Sequence, residues 1–259
     1  MPETPNRYVI PLGVAPALPP PGDENTYLAV GTADRYWLVD CAGSPIQRLR
    51  LAGLDPLRAQ GVIITHFHPD HVYGLPAFVL GLFLLVHNAG LPAPLPIYAR
   101  PEVLVLVRKL MALYQDQGWL EKIALTFQEI PVETLAPVVA TPDFTIVASP
   151  TCHSIPSVAL RFDAPDGCAF VYSGDTALCS HVRELSQDAD LLIHEATGEG
   201  PGHADADEVG ALAAAAGVGR LGLIHYVGDE APSARMLAAA SAAFDGPTFL
   251  CRSLDPIAW

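Results

Sequence analysis

Between Thr65 and His71 the chain reads Thr-His-Phe-His-Pro-Asp-His, which sets three imidazoles and a carboxylate within six consecutive positions. Imidazole and carboxylate are the donors that suit zinc and related divalent ions. The whole chain has only nine histidines, so a solvated polar loop would rarely collect this density. His66, His68, Asp70 and His71 are therefore candidate metal ligands. Other candidates stand singly downstream: His153 in Thr151-Cys152-His153-Ser154, Asp175 in Ser173-Gly174-Asp175, and His225 in Leu223-Ile224-His225. Taken alone, His153 reads as a capping or core histidine, Asp175 as a turn residue and His225 as a satisfied imidazole at a strand end.

The elements that must position these groups are strands. Gly61-Val62-Ile63-Ile64-Thr65 is a short apolar run rich in β-branched residues, which predicts a buried strand. The histidines leave its carboxyl end, where α/β folds place their chemistry. Asp175 and His225 also follow short apolar runs. The pattern predicts strands at 27–30, 36–39, 95–98, 158–162, 170–173, 191–194 and 221–224. It places further strands within 125–148 and a hairpin turn at 164–167. Helices are expected behind the metal motif (72–86), from Glu102 to about Gln117, and over 205–216 and 231–244. Asp205 and Asp207 cap and charge the start of the alanine-rich helix. The proline-rich opening to about Gly22 reads as extended over the surface. Strands, then helices, then strands again predict an α/β domain, two sheets covered by helices on both outer faces. At 259 residues and 51% hydrophobic, residues 1–259 form one domain with a sizeable core.

His-x-His-x-Asp-His after an apolar strand, followed in order by His153, Asp175 and His225, resembles the metallo-β-lactamase superfamily of binuclear metal hydrolases, from about Asn25 to Tyr226. The resemblance implies an αββα four-layer sandwich. It implies His66, His68 and His153 on one ion, Asp70, His71 and His225 on a second, and Asp175 bridging. Two ions ~3.5–4 Å apart can clamp a phosphoryl centre, and a bound water can have its pKa lowered to about 7. Zinc is favoured; manganese and iron accept the same mixed donors.

A finer resemblance is to the ribonuclease Z branch. It rests on Asp40-Cys41-Ala42-Gly43 with Gln47, Gly74-Leu75-Pro76, Leu191-Leu192-Ile193-His194-Glu195-Ala196-Thr197, and His203 before the alanine-rich helix. This implies catalytic roles for Asp70, Glu195 and His203, the last pair orienting and protonating the leaving group. His194 is expected to pack beneath the site, and the glycine-rich Gly198–Gly202 to let His203 swing to it. Two departures argue against transfer-RNA processing. Only residues 154–174 separate His153 from Asp175, room for two strands and a turn but not a protruding arm. The family's glycine-rich start is replaced by Leu12-Gly13-Val14-Ala15-Pro16 and Leu18-Pro19-Pro20-Pro21.

The charge balance bears on the substrate. The net charge is −14, with 14 Lys and Arg spread along the chain, whereas nucleic-acid binders cluster basic residues against phosphates. Arg100, Arg108, Lys109 and Lys122 could form a local patch, but a solvated helix face is the favoured reading. The expected substrate is a small phosphodiester or short RNA end. The alternatives are a lactone or thioester on the same ions, or iron-dependent oxidoreductase chemistry. Five irregularly spaced cysteines without a CxxC read as reduced, mostly buried thiols of a cytoplasmic protein. Cys152, beside His153, reads as core packing. No basic-apolar leader opens the chain. The apolar stretch at 72–86 is shorter than the ~18–20 residues of a membrane span. A homodimer through the apolar helices is a further expectation.

Overall fold

In the computed structural model, residues 6–89, 94–114, 122–198, 200–226 and 230–259 are described. Two seven-stranded sheets face one another, in orders β14-β1-β2-β3-β4-β5-β6 and β13-β12-β11-β10-β9-β8-β7. The first holds β1 (Arg7–Gly13), β2 (Tyr27–Thr32), β3 (Tyr36–Val39), β4 (Ala59–Ile63), β5 (Leu95–Ala99), β6 (Leu125–Glu129) and β14 (Ile257–Ala258). The second holds β7 (Ala136–Ala140), β8 (Thr145–Pro150), β9 (Val158–Asp163), β10 (Ala169–Tyr172), β11 (Leu191–Glu195), β12 (Leu221–Ile224) and β13 (Thr248–Leu250). Each sheet is antiparallel on one side and parallel on the other. β3 through β6 and β10 through β13 are the parallel runs.

Parallel neighbours need crossovers, and helices supply them. The first sheet uses α1 (Pro45–Leu51), α2 (Pro69–Val72) with α3 (Leu75–Ala89), and α4 (Pro101–Ala112). The second uses α5 (Ser180–Leu185), α6 (Ala206–Ala216) and α7 (Glu230–Ala243). Three apolar layers result. One, with Leu38, Val62, Phe78 and Val103, lies under α1, α3 and α4. A second fills the space between the sheets. The third, with Val171, Leu192, Val209 and Leu212, lies under the remaining helices. This is the αββα sandwich that the strand and helix pattern predicts.

Local chemistry explains the boundaries. Proline at the first helical position starts α1, α2 and α4. A reciprocal Asp205/Glu208 capping box opens α6, and left-handed Gly217 closes it. The helical run Pro69–His87 reaches the length and hydropathy of a membrane span, longer than the stretch read from sequence. Half of that run is buried, and Leu75, Phe78, Val79, Leu82 and Val86 belong to the layer on the first sheet.

The opening departs from expectation. Arg7–Gly13 is a buried strand between β2 and β14, not a surface leader. Its partner β14 comes from the far end of the chain, so no local pattern announces it. The helices α1 and α5 and the short strands β13 and β14 were likewise not legible. The helix expected to reach about Gln117 ends at Ala112, capped by Leu113, and Gln117 lies outside the described residues.

Phe162 stands between Phe144 and Phe170 in the inter-sheet layer, with centroids 5.9 and 5.7 Å away. Phe162→Ala is expected to destabilise the fold by about 3–5 kcal/mol. Urea unfolding followed by circular dichroism checks this; a change under ~1 kcal/mol would contradict the packing.

Candidate metal centre

The candidate residues gather where the parallel strands end. His66 follows β4, Asp175 follows β10, Glu195 ends β11 and His225 follows β12. Asp40 follows β3, beside β4. His153 arrives on the loop after β8, and Asp70 and His71 on the first turn of α2. The turn is held against the sheet by Cys41 N–H donating to the His71 carbonyl and Gly74 N–H to that of Cys41. A Cβ at Gly74 would lie 2.6 Å from the Ala42 carbonyl, so this approach requires glycine.

Two sets of donors converge. His66 Nε2 lies 3.0 Å and His153 Nε2 3.1 Å from His68 Nδ1. Asp175 Oδ2 lies 3.7 Å from His66 Nε2 and 4.0 Å from His153 Nε2. On the other side, His71 Nε2 and His225 Nε2 are each 3.6 Å from the same Asp175 Oδ2. They stand 3.6 and 3.8 Å from Asp70 Oδ2. Four donors around zinc at ~2.0–2.1 Å are roughly 3.3 Å apart, which these spacings match. His71 Nε2, His225 Nε2 and Asp175 Oδ1 are buried with no hydrogen-bond partner among the described residues. Buried polar atoms left unpaired beside convergent donors suit a cation. Both sets therefore fit a divalent metal ion, and Asp175 lies within reach of each.

The imidazoles are oriented from behind. His71 Nδ1 donates to Asp40 Oδ2 at 2.8 Å. Thr65 Oγ1 donates to Asp40 Oδ2 at 2.8 Å, and so accepts from His66 Nδ1 at 3.0 Å. His153 Nδ1 donates to the Gly202 carbonyl at 2.8 Å. Thr197 Oγ1 donates to the His225 carbonyl and accepts from His225 Nδ1 at 2.6 Å. In each ring the proton sits on Nδ1 and the Nε2 lone pair faces the cluster. Gly202 has φ +91°, and a Cβ there would meet His153 Nδ1 at 2.9 Å. Asp40 and His225 both adopt left-handed φ of 60°. Non-glycine residues adopt that backbone at a cost that the surrounding bonds must offset.

The electrostatics follow from burial and mutual contact. Burial and the neighbouring His71 hold His66 well below the usual histidine range. Burial opposes ionisation of Asp175, but the imidazoles of His225 and His71 hold its carboxyl well below the usual carboxylate range.

Asp40, Thr65 and Thr197 are positioning residues that sequence reasoning quoted only within motifs. A threonine just before the first histidine and an aspartate ending the adjacent parallel strand were the available signals. Asp40→Asn is expected to weaken zinc binding by about 10–100-fold. Competition with a chromogenic chelator measures this, and unchanged affinity would remove Asp40 from the centre.

Glu195 is fully buried. Its Oε1 accepts from His203 Nδ1 at 3.0 Å, Ala204 N–H at 3.2 Å and Thr176 N–H at 3.3 Å. Oε2 accepts from Thr197 N–H at 2.8 Å. The His203 ring lies edge-on to His153 at 5.2 Å and stacked on His225 at 5.7 Å. The hydrogen bond that His203 donates to Glu195 raises the His203 pKa against the opposing effect of burial. No swing is needed to bring His203 to the centre. His194 lies on the opposite face of β11 from Glu195. It shares that face with Leu192 of the helix-covered layer, so it does not support the metal centre from beneath.

A further expectation is corrected. Cys152 is exposed, not core, and its Sγ lies 2.8 Å from that of Cys179. That hydrogen bond pushes the Cys152 thiol up to about 11. In the basic patch, Arg100 pairs with Glu102 at 2.6 Å and Arg108 sits 3.9 Å over the Phe127 ring, which engages two of the four cations.

A family profile described as the β-lactamase superfamily domain matches residues 35–226. The chain is 26% identical over 270 residues to a ribonuclease Z from Methanothermobacter thermautotrophicus, covering 83% of this chain and 84% of that protein. Its fold is similar to the metallo-β-lactamase fold protein YhfI from Bacillus subtilis, with TM-score 0.79, 23% identity and coverage of 97% and 98%. It is also similar to human tRNase Z, short form, with TM-score 0.76, 21% identity and the same coverage.

Proposed function

The chain belongs to the β-lactamase superfamily, and from that premise we propose that it is a binuclear metal-dependent phosphodiesterase of the ribonuclease Z type. The observation that carries the phosphodiester reading is the pairing of buried Glu195 with partly exposed His203 beside the convergent donors. A thioester expels a thiolate that leaves without a proton, whereas the alkoxide departing from a phosphodiester needs a general acid.

His66, His68 and His153 would hold one ion and Asp70, His71 and His225 the other, with Asp175 shared between them. Imidazole and carboxylate donors favour zinc, and manganese and iron fit the same set. Bound there, the ions would supply Lewis acidity toward the phosphoryl oxygens and a water acidic enough to react at neutral pH. The protein's own groups do the rest. Asp70, whose side chain is partly open to solvent, would take the proton of the attacking water at Oδ1, since Oδ2 faces His71 and His225. Glu195 fixes the His203 ring through Nδ1 and favours its protonated form. His203 gives its Nε2 proton to the leaving oxygen. Without that proton the leaving group would depart as an alkoxide.

The substrate is a small phosphodiester or a short RNA end. Residues 154–174 supply only the β9–β10 strand pair where an arm for transfer RNA would stand. A net charge of −14 disfavours a long polyanion.

The test is turnover of bis(p-nitrophenyl) phosphate by protein loaded with zinc or manganese. Metal-dependent hydrolysis supports the reading. Two bound ions per chain with no turnover would shift it to a lactone or thioester.

A further inference from the structure

Cys152 and Cys179 take no part in the chemistry above, yet they join the two loops that carry His153 and Asp175. We propose that they form a reversible disulfide that staples those loops together. Their sulfurs are 2.8 Å apart. Reaching the ~2.05 Å of a disulfide requires a shift of less than about 1 Å. The backbone around them is already laced. Cys152 N–H donates to Thr176 Oγ1 at 3.1 Å, Ala177 N–H to the Cys152 carbonyl at 3.0 Å, and Thr151 Oγ1 to the Asp175 carbonyl at 2.9 Å. The bond would therefore close without displacing either loop.

The two thiols differ in access, which divides the work. Cys152 is exposed and meets the oxidant first; Cys179 is buried at the start of α5 and resolves the product. Hydrogen peroxide converts the Cys152 thiol to a sulfenic acid and is reduced to one water. The Cys179 sulfur then attacks the Cys152 sulfur, the S–S bond forms, and the hydroxyl leaves with the Cys179 proton as a second water. A dithiol reductant reverses the step by taking up the two oxidising equivalents as its own disulfide.

The closed loop runs from Cys152 to Cys179, 28 residues inclusive. Such closure restricts the unfolded chain and stabilises the fold. It also holds the His153 and Asp175 donors together while an ion is absent, which slows metal loss. That second consequence rests on the metal reading above; the staple itself does not.

The experiment treats the full chain, metal-free and zinc-loaded, with hydrogen peroxide. The free thiols are then alkylated and the peptides mapped without reductant. The expected result is an intramolecular Cys152–Cys179 link in both forms. Tm should rise by roughly 5–10 °C over the dithiothreitol-treated protein, and zinc should pass more slowly to a chromogenic chelator. Cys152→Ser should abolish the link, the Tm rise and the slowed release together, without loss of turnover. Intact thiols, a sulfinic acid at Cys152, links between chains, or a link that lowers Tm would each overturn the staple. A link with raised Tm in a protein that binds no zinc would leave the staple standing and overturn the metal reading.

Discussion

Asp175→Ala is expected to remove phosphodiesterase activity altogether, by roughly 10⁴-fold or more, as when one member of a group acting as a unit is deleted. Its Oδ2 stands within 3.6–4.0 Å of the Nε2 atoms of His66, His71, His153 and His225. No other carboxylate oxygen among the described residues is shared by both donor sets in this way. Without it, each set keeps three donors, and the anion that offsets the cationic charge between the ions is gone. Bound zinc measured by atomic absorption should fall from two per chain to one or fewer. Retention of both ions, or of more than about a hundredth of the activity, would show that Asp175 does not bridge.

His203→Ala should separate substrates by their leaving group. A dinucleotide or alkyl phosphodiester releases an alkoxide and should lose about 10²–10⁴-fold in kcat. Bis(p-nitrophenyl) phosphate releases a stable phenolate and should lose less than about tenfold. Glu195→Gln should follow the same pattern more weakly. It leaves an acceptor near Nδ1 but removes the charge that favours protonated His203. Metal content should stay at the wild-type level in both variants. Equal losses on both substrates would remove His203 as the acid and leave it a packing residue between His153 and His225.

The sequence by itself determined the donor set and its order along the chain. Ligand chemistry depends on residue type, and the strand-end positions of His66, Asp175 and His225 show as apolar runs that stop at a polar residue. The apolar strand runs, the turn at 164–167 and the capped start of the alanine-rich helix were legible for the same reason, since each is set by neighbours a few residues apart. What joins distant segments was decided only by the tertiary structure. The Arg7–Gly13 segment becomes a core strand because Ile257–Ala258 pairs with it from the other end of the chain. Asp40 orients His71 because β3 and β4 lie parallel and end together. Gly202 sets the tautomer of His153, and Cys152 meets Cys179, because loops far apart in sequence leave the same end of the second sheet. His194 faces away from the centre because Glu195, its neighbour on the strand, faces toward it. Hydrogen bonds and close contacts of this kind depend on where folding brings the backbone, and no spacing along the chain records that.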